Sequence, residues 1–275
     1  MERRNAWKQY DEAEIKSLEA FCEEYKRFLD AGKTERECVT ECVRIAKAHG
    51  WKNLFDCEHL APGDRVYVDW MHKCFVQFIV GARPLQDGMR ILGAHIDSPR
   101  LDIKQNPLYE DTDLAYLDTH YYGGVKKYQW VARALALHGV IVKKDGETID
   151  VCVGEDESDP VFCISDLLPH LAQEQMKREA SKIIEGEELD IIIGGRPLAG
   201  EEKDAVRANA MRLISEKYGI DEEDLLSAEL EVVPAGKARD MGFDRSMILG
   251  YGHDDRVCAY PSMRAALDFE GTPEY

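Results

Sequence analysis

The 275-residue sequence has no apolar run approaching the ~20 residues that a membrane-spanning helix needs. It has no excess of positive charge: 35 Lys and Arg stand against 53 Asp and Glu, a net charge of -18. That balance excludes a general basic surface for nucleic acid and predicts an acidic, solvated exterior. The N-terminus, Met-Glu-Arg-Arg-Asn-Ala-Trp-Lys, lacks the apolar h-region of a signal peptide. No Cys-x-x-Cys pair occurs among the eight cysteines. Several of them sit in apolar runs, such as Cys74 in Cys-Phe-Val-Gln-Phe-Ile-Val, which predicts buried, reduced thiols and a cytoplasmic protein. Cys38 and Cys42 are four apart on an expected helix and read as core packing, with a metal pair as the alternative. No serine lies in Gly-x-Ser-x-Gly, so a hydrolase nucleophile of that type is unsupported. Gly123-Gly124 and Gly194-Gly195 lack the strand-to-helix context of phosphate loops and read as turns. Internal repeats and low-complexity tracts are missing as well.

What is present is a globular composition, 44% hydrophobic, in a chain long enough for one large domain or two ordinary ones. Ile15, Leu18, Phe21, Cys22, Tyr25, Phe28 and Leu29 follow the helical period, and Ala31-Gly32 ends the run. Thr34 with Glu37 reads as a capping box opening a second helix, to about His49. Arg65–Trp70, Cys74–Val80 and Met89–Ala94 read as strands. Residues 105–125 read as polar, aromatic and turn-rich. Strands are expected over Tyr128–Lys144 and Thr148–Val153, joined by an Asp-Gly turn. A short helix is expected over Ser165–Met176, then a loop region around an Ile191–Ile193 strand. A helix over Ala205–Tyr218 and a strand over Ala228–Val233 follow. Met247–Gly252 reads as a final strand and Val257–Phe269 as a final helix.

The chemistry-bearing residues fall at the ends of two expected strands. Met89–Ala94 runs into His95-Ile96-Asp97, and in open α/β sheets ligands gather beyond the carboxyl ends of strands. Asp97 is placed to receive the second ring N–H of a metal-bound imidazole and fix its tautomer. Alone, His-x-Asp reads more readily as a strand-end histidine held by a nearby acid. Asp254 follows the other strand, where it could reach a metal; the alternative is that Asp254 or Asp255 merely caps the next helix.

Four ordered blocks settle more than any one motif. Gly93-Ala-His-Ile-Asp-Ser-Pro-Arg-Leu-Asp102, Thr119-His-Tyr-Tyr-Gly-Gly-Val-Lys-Lys-Tyr-Gln-Trp130, Asp166-Leu-Leu-Pro-His-Leu-Ala172 and Tyr251-Gly-His-Asp-Asp-Arg-Val-Cys-Ala-Tyr260 resemble the aspartyl aminopeptidase / aminopeptidase I family of zinc peptidases, in the same order. The resemblance runs from about residue 10 to the end. It implies an α/β fold, a three-layer zinc-peptidase catalytic domain interrupted by a mostly β oligomerisation insert. The catalytic domain would comprise residues 1–101 and 246–275, and the insert residues 102–245. It implies two zinc ions (Zn2+) per complete site, with His95 a ligand of one, Asp254 bridging both, and Asp97 the catalytic-site carboxylate that orients His95. It also implies peptide substrates cut one residue at a time from the N-terminus, acidic or neutral residues being favoured, and a homo-oligomer built from dimers. Neither nucleic acid nor membrane is an expected partner.

Two residues stay open. His170 is a candidate active-site contact from a neighbouring subunit, or a plain helix-start histidine. His253 precedes the bridging acid and reads as a non-ligand. His120, Tyr121 and Tyr122 with Lys126 and Lys127 form a polar-aromatic cluster that lines either the substrate channel or a subunit contact. The family pattern further requires a Glu-Glu pair, another Asp and a terminal His, for which the sequence offers no position. The chain is therefore expected to be the N-terminal part of a longer protein and inactive by itself. The alternatives are a non-catalytic assembly protein derived from such a peptidase, or a related two-metal deacylase.

Overall fold

Two capping boxes shape the first sixty residues. The computed structural model describes residues 4–275, so the polar start read above begins outside them. In chain order the elements are α1 (Glu12–Ala31), α2 (Glu35–Ala48), β1 (Lys52–Asn53), β2 (Arg65–Trp70), β3 (Cys74–Ile79), β4 (Arg100–Asp111), β5 (Leu114–Tyr122), β6 (Leu135–Val142), β7 (Thr148–Val153), β8 (Ile191–Gly194), α3 (Ala205–Tyr218), β9 (Ala228–Pro234), β10 (Arg239–Met241), β11 (Met247–Leu249) and α4 (His253–Leu267). At the head of α1, Glu14 N–H donates to Asp11 Oδ1 at 2.8 Å and Asp11 N–H to Glu14 Oε2 at 2.9 Å. At the head of α2, Glu37 N–H donates to Thr34 Oγ1 at 3.3 Å and Thr34 N–H to Glu37 Oε2 at 3.0 Å. Each box satisfies two donors that the first helical turn leaves without partners.

The chain divides into two compact units: unit 1 is the chain up to Asp97 together with Lys237–Tyr275, and unit 2 is Ser98–Gly236. The sequence expectation put the divisions at 101/102 and 245/246. The first of these would cut β4, and the second would part β10 from β11, its antiparallel partner. The fold is α/β. Unit 1 holds the three-stranded sheet β1-β2-β3, the hairpin β10-β11 and three helices. Its core forms where Tyr25, Phe28 and Leu29 of α1 meet Tyr260, Met263 and Leu267 of α4 and Cys38, Cys42 and Ala46 of α2. The Tyr260 ring is the hub, 5.1 Å from the Phe28 ring and 5.3 Å from that of Phe21. Cys38 and Cys42 are core residues, as the favoured reading had it, and burial pushes the Cys42 thiol up.

Unit 2 is a six-stranded antiparallel sheet in the order β7-β6-β9-β4-β5-β8, with α3 packed against it. Its apolar face carries Leu101, Leu137, Val153 and Val232. Within β6, Gly139 has φ +135 and a Cβ there would lie 1.9 Å from the Glu229 carbonyl oxygen. Gly139→Ala is therefore expected to destabilise unit 2 by about 3 kcal/mol, through both the clash and the forced backbone. Equilibrium unfolding in urea, read as a lowered midpoint, checks this.

Several expectations fail. Met89–Ala94 forms no strand: the segment is irregular, with Ile91 77% and Leu92 68% exposed. A strand needs a neighbour for its backbone groups, and among the described residues none pairs with this run. Ser165–Met176 forms no helix. Pro169 sits where its missing N–H breaks the ladder, and what remains is an isolated hydrogen-bonded turn from Leu168 to Ala172 and a 3-10 turn at Gln175–Lys177. The strand expected over Tyr128–Lys144 shortens to β6, because Lys127–Gln129 is a 3-10 turn. The supposedly turn-rich 105–125 region is mostly the hairpin β4–β5. Cys74 is exposed at the start of β3, not buried. All eight cysteines are free. Among the described residues no helix is long and apolar enough to cross a membrane.

Candidate metal centre

His95 and Asp97 lie on non-helical backbone between the end of β3 and the start of β4. Asp254 lies behind β11, at the point where α4 begins. Gly252 takes φ +88 there, and Asp254 (φ -92, ψ 109) and Asp255 (φ -112, ψ 25) are not yet helical. Gly252 is the N-cap of the element as a whole, and Asp254 and Asp255 stand between it and the regular turns that begin at Arg256. Packing of Tyr260 and Met263 into the unit 1 core fixes α4, and through it the Asp254 backbone.

These three residues converge within unit 1. His95 Nδ1 is 3.1 Å from Asp97 Oδ1 and 3.0 Å from the Asp97 carbonyl oxygen. His95 Nε2 is 3.3 Å from Asp254 Oδ1. The side chains are 51%, 34% and 85% exposed for His95, Asp97 and Asp254. Partial burial disfavours the charged His95 ring, but the Asp97 carbonyl and the carboxylates of Asp97, Asp255 and Asp254 outweigh it and raise the group above its usual value. Beside them Cys258 is hydrogen-bonded to Asp255, which raises the thiol.

The donor set suits zinc. Neutral imidazole nitrogen and carboxylate oxygen are zinc ligands. Two atoms on one tetrahedral zinc at about 2.0–2.1 Å lie about 3.3 Å apart, the spacing at which His95 Nε2 and Asp254 Oδ1 stand. With Nδ1 engaged by Asp97, Nε2 is the nitrogen left for a metal.

His253 turns Nδ1 to the Tyr25 hydroxyl at 3.0 Å, and burial pushes that phenol up to about 12. His170 is in unit 2, exposed, in the irregular segment after Pro169 rather than at a helix start. In the polar-aromatic cluster, the His120 and Tyr121 rings stack at 5.4 Å, Lys127 lies over Tyr121, and the Arg100 guanidinium covers Tyr122 at 4.1 Å. One residue that the sequence reading passed over is Arg256. Last of the Asp-Asp-Arg run, it is fully buried between Ile96 and Lys33.

The family model for the aminopeptidase I zinc metalloprotease (M18) matches residues 28–274. A probable M18 family aminopeptidase 1 of Clostridium acetobutylicum is 58% identical over 274 residues, covering 98% of this chain and 59% of that protein. The crystal structure of an M18 aminopeptidase from Thermotoga maritima superposes with a TM-score of 0.94 at 45% identity, over 99% of this chain and 59% of that one. The S. cerevisiae mApe1 dodecamer shares the fold, with a TM-score of 0.66 at 19% identity over 91% of this chain and 56% of that one. The chain thus spans about 59% of the length of such relatives.

Proposed function

Because the chain belongs to the aminopeptidase I (M18) family of zinc metalloproteases, we propose that the full-length protein removes single acidic or neutral residues from peptide N-termini. The observation that carries this reading is the 3.3 Å approach of His95 Nε2 to Asp254 Oδ1 on exposed side chains, with Asp97 behind the ring. In this reading His95 would hold one of two zinc ions and Asp254 would be shared between them. Two zinc ions, when bound, supply the Lewis acidity that makes water nucleophilic near neutral pH and stabilises negative charge on the scissile carbonyl oxygen. The chain's own residues do the holding. Asp97 keeps the proton on Nδ1 and so keeps Nε2 available. A carboxylate beside the centre that holds no metal, such as Asp255, would pair with the free amine of a peptide, which would direct cleavage to the N-terminal bond. The relatives are longer than this chain, and the reading assigns the remaining ligands and the general base to the part of their length it does not span.

Unit 2 is the proposed assembly element of a closed homo-oligomer built from dimers, with His170 reaching a neighbouring subunit's site. A solved relative named as a dodecamer supports it. Eight free cysteines support a reducing compartment, the cytoplasm.

The test is an assay of the 275-residue chain and a full-length form, each loaded with zinc or cobalt, on aminoacyl p-nitroanilides. Turnover by the full-length form alone is expected. A zinc-loaded full-length form without turnover on any aminoacyl substrate overturns the reading. Within it, Asp97→Asn should keep the fold and weaken zinc affinity or turnover by ~10–100-fold, because the tautomer is no longer held. Unchanged kinetics assign Asp97 to structure alone.

A further inference from the structure

We propose that Arg256 is the positioning residue of this metal centre, the side chain that holds the His95-Ile96-Asp97 segment in register with Asp254. The inference rests on the zinc reading above. Arg256 is 0% exposed and stands directly behind the non-helical Asp254-Asp255 pair. Its Nε donates to the Ile96 carbonyl oxygen at 3.0 Å and its Nη2 to the Lys33 carbonyl oxygen at 3.0 Å. Ile96 lies between His95 and Asp97. A guanidinium two residues from one proposed ligand therefore grips the backbone one residue from the other. The grip is also tied to the corner between α1 and α2 through Lys33.

The surroundings are built around this side chain. Tyr251 places its ring 5.6 Å from the guanidinium carbon. Gly252 lies against the third nitrogen: a Cβ there would stand 2.2 Å from Nη1, at φ +88. Nη1 itself is buried without a hydrogen-bond partner. Burying a cation is costly and is tolerated where polar groups solvate it. Arg256 is solvated by two backbone carbonyls, so what its charge secures is backbone position. The planar fork of an arginine fixes both carbonyls relative to one plane, which a lysine cannot do. The 3.3 Å separation of His95 Nε2 from Asp254 Oδ1 is on this account maintained from behind, by a group that touches neither metal nor substrate.

The test uses the full-length protein with Arg256→Met and Arg256→Lys, and His95→Ala as control. Zinc affinity is measured by chelator competition, and ligand geometry by the visible absorption of the cobalt-substituted protein. Arg256→Met should bind zinc ~10–100-fold more weakly, the range seen when outer partners of metal ligands are removed. Its cobalt bands should shift, and the full-length protein should keep its circular dichroism. Arg256→Lys, with a single-point donor, should recover part of the affinity and leave the bands intermediate. If Arg256→Met does not fold, Arg256→Lys decides by the same two readouts. Parental affinity and parental cobalt bands in the folded variants, with zinc lost in His95→Ala, overturn this inference alone. A lowered unfolding midpoint with unmoved bands does the same, since it marks a purely structural arginine. A parent protein that takes up no zinc overturns this inference together with the reading beneath it.

Discussion

His95→Ala is expected to strip one zinc ion from the full-length protein and to lower kcat/KM by about 10³-fold while the fold persists. The size follows from what is removed. A divalent ion at a hydrolytic centre supplies several kcal/mol of charge stabilisation, and each ~1.4 kcal/mol is a factor of ten in rate. The imidazole is the neutral nitrogen donor of the converging set, and its Nε2 is the atom turned toward Asp254. Alanine leaves Asp254 and Asp97 facing each other with no donor between them. Stability of the metal-free protein should hardly change, because the ring is 51% exposed and its hydrogen bonds stay within the Asp97 segment; substitutions at such sites stay within about 0.5 kcal/mol. Elemental analysis and steady-state kinetics on the same preparation check both halves. Retention of two zinc ions per subunit with near-parental kcat/KM would remove His95 from the ligand set.

The helices that frame the centre are legible in the sequence because their ends are chemically marked. Thr34 with Glu37 is a capping box that needs no tertiary help to be read, and Asp11 with Glu14 is a second one that the structure adds to the periodicity of α1. β4 and β5 are not legible for the opposite reason. Their two-residue turn is Thr112-Asp113, with φ of 48 and 59, a left-handed turn usually signalled by Asn-Gly or Asp-Gly. Pro107 and the register shift between Ile103 and Leu108 also break the alternation along β4. Met89–Ala94 misleads in the other direction. Its composition suits a strand, but a strand is completed by a partner, which its own residues cannot specify.

For the centre itself the pattern of residue types carried the reading. His-x-Asp and Asp-Asp-Arg mark two places in the chain, and the family resemblance joined them. The structure then brings His95, Asp97 and Asp254 together within unit 1. Arg256 stayed hidden because a single arginine after two acids looks like any surface cation. Its meaning depends on burial and on which carbonyls it meets, neither of which has a local signature.

Asp254→Asn separates a metal-bridging role from every bland one. The substitution keeps the shape of the side chain and, for a residue acting only as a helix cap, keeps function too, since Asn and Asp cap equally well. Little loss of stability is expected on either account, because this side chain is 85% exposed on non-helical backbone. What Asn removes is one negative charge and one of two equivalent oxygens. A group that holds two cations together needs both: the charge offsets their mutual repulsion, and the second oxygen gives the second ion its ligand. The expected result is a full-length protein whose metal-free form unfolds within ~0.5 kcal/mol of the metal-free parent, which retains at most one tightly held zinc and has lost about 10³-fold in kcat/KM, several kcal/mol of transition-state stabilisation. Zinc content after dialysis against a weak chelator, read alongside a urea unfolding curve, tests the two statements separately. Two retained zinc ions and parental turnover would leave Asp254 a surface carboxylate beside His95 and nothing more.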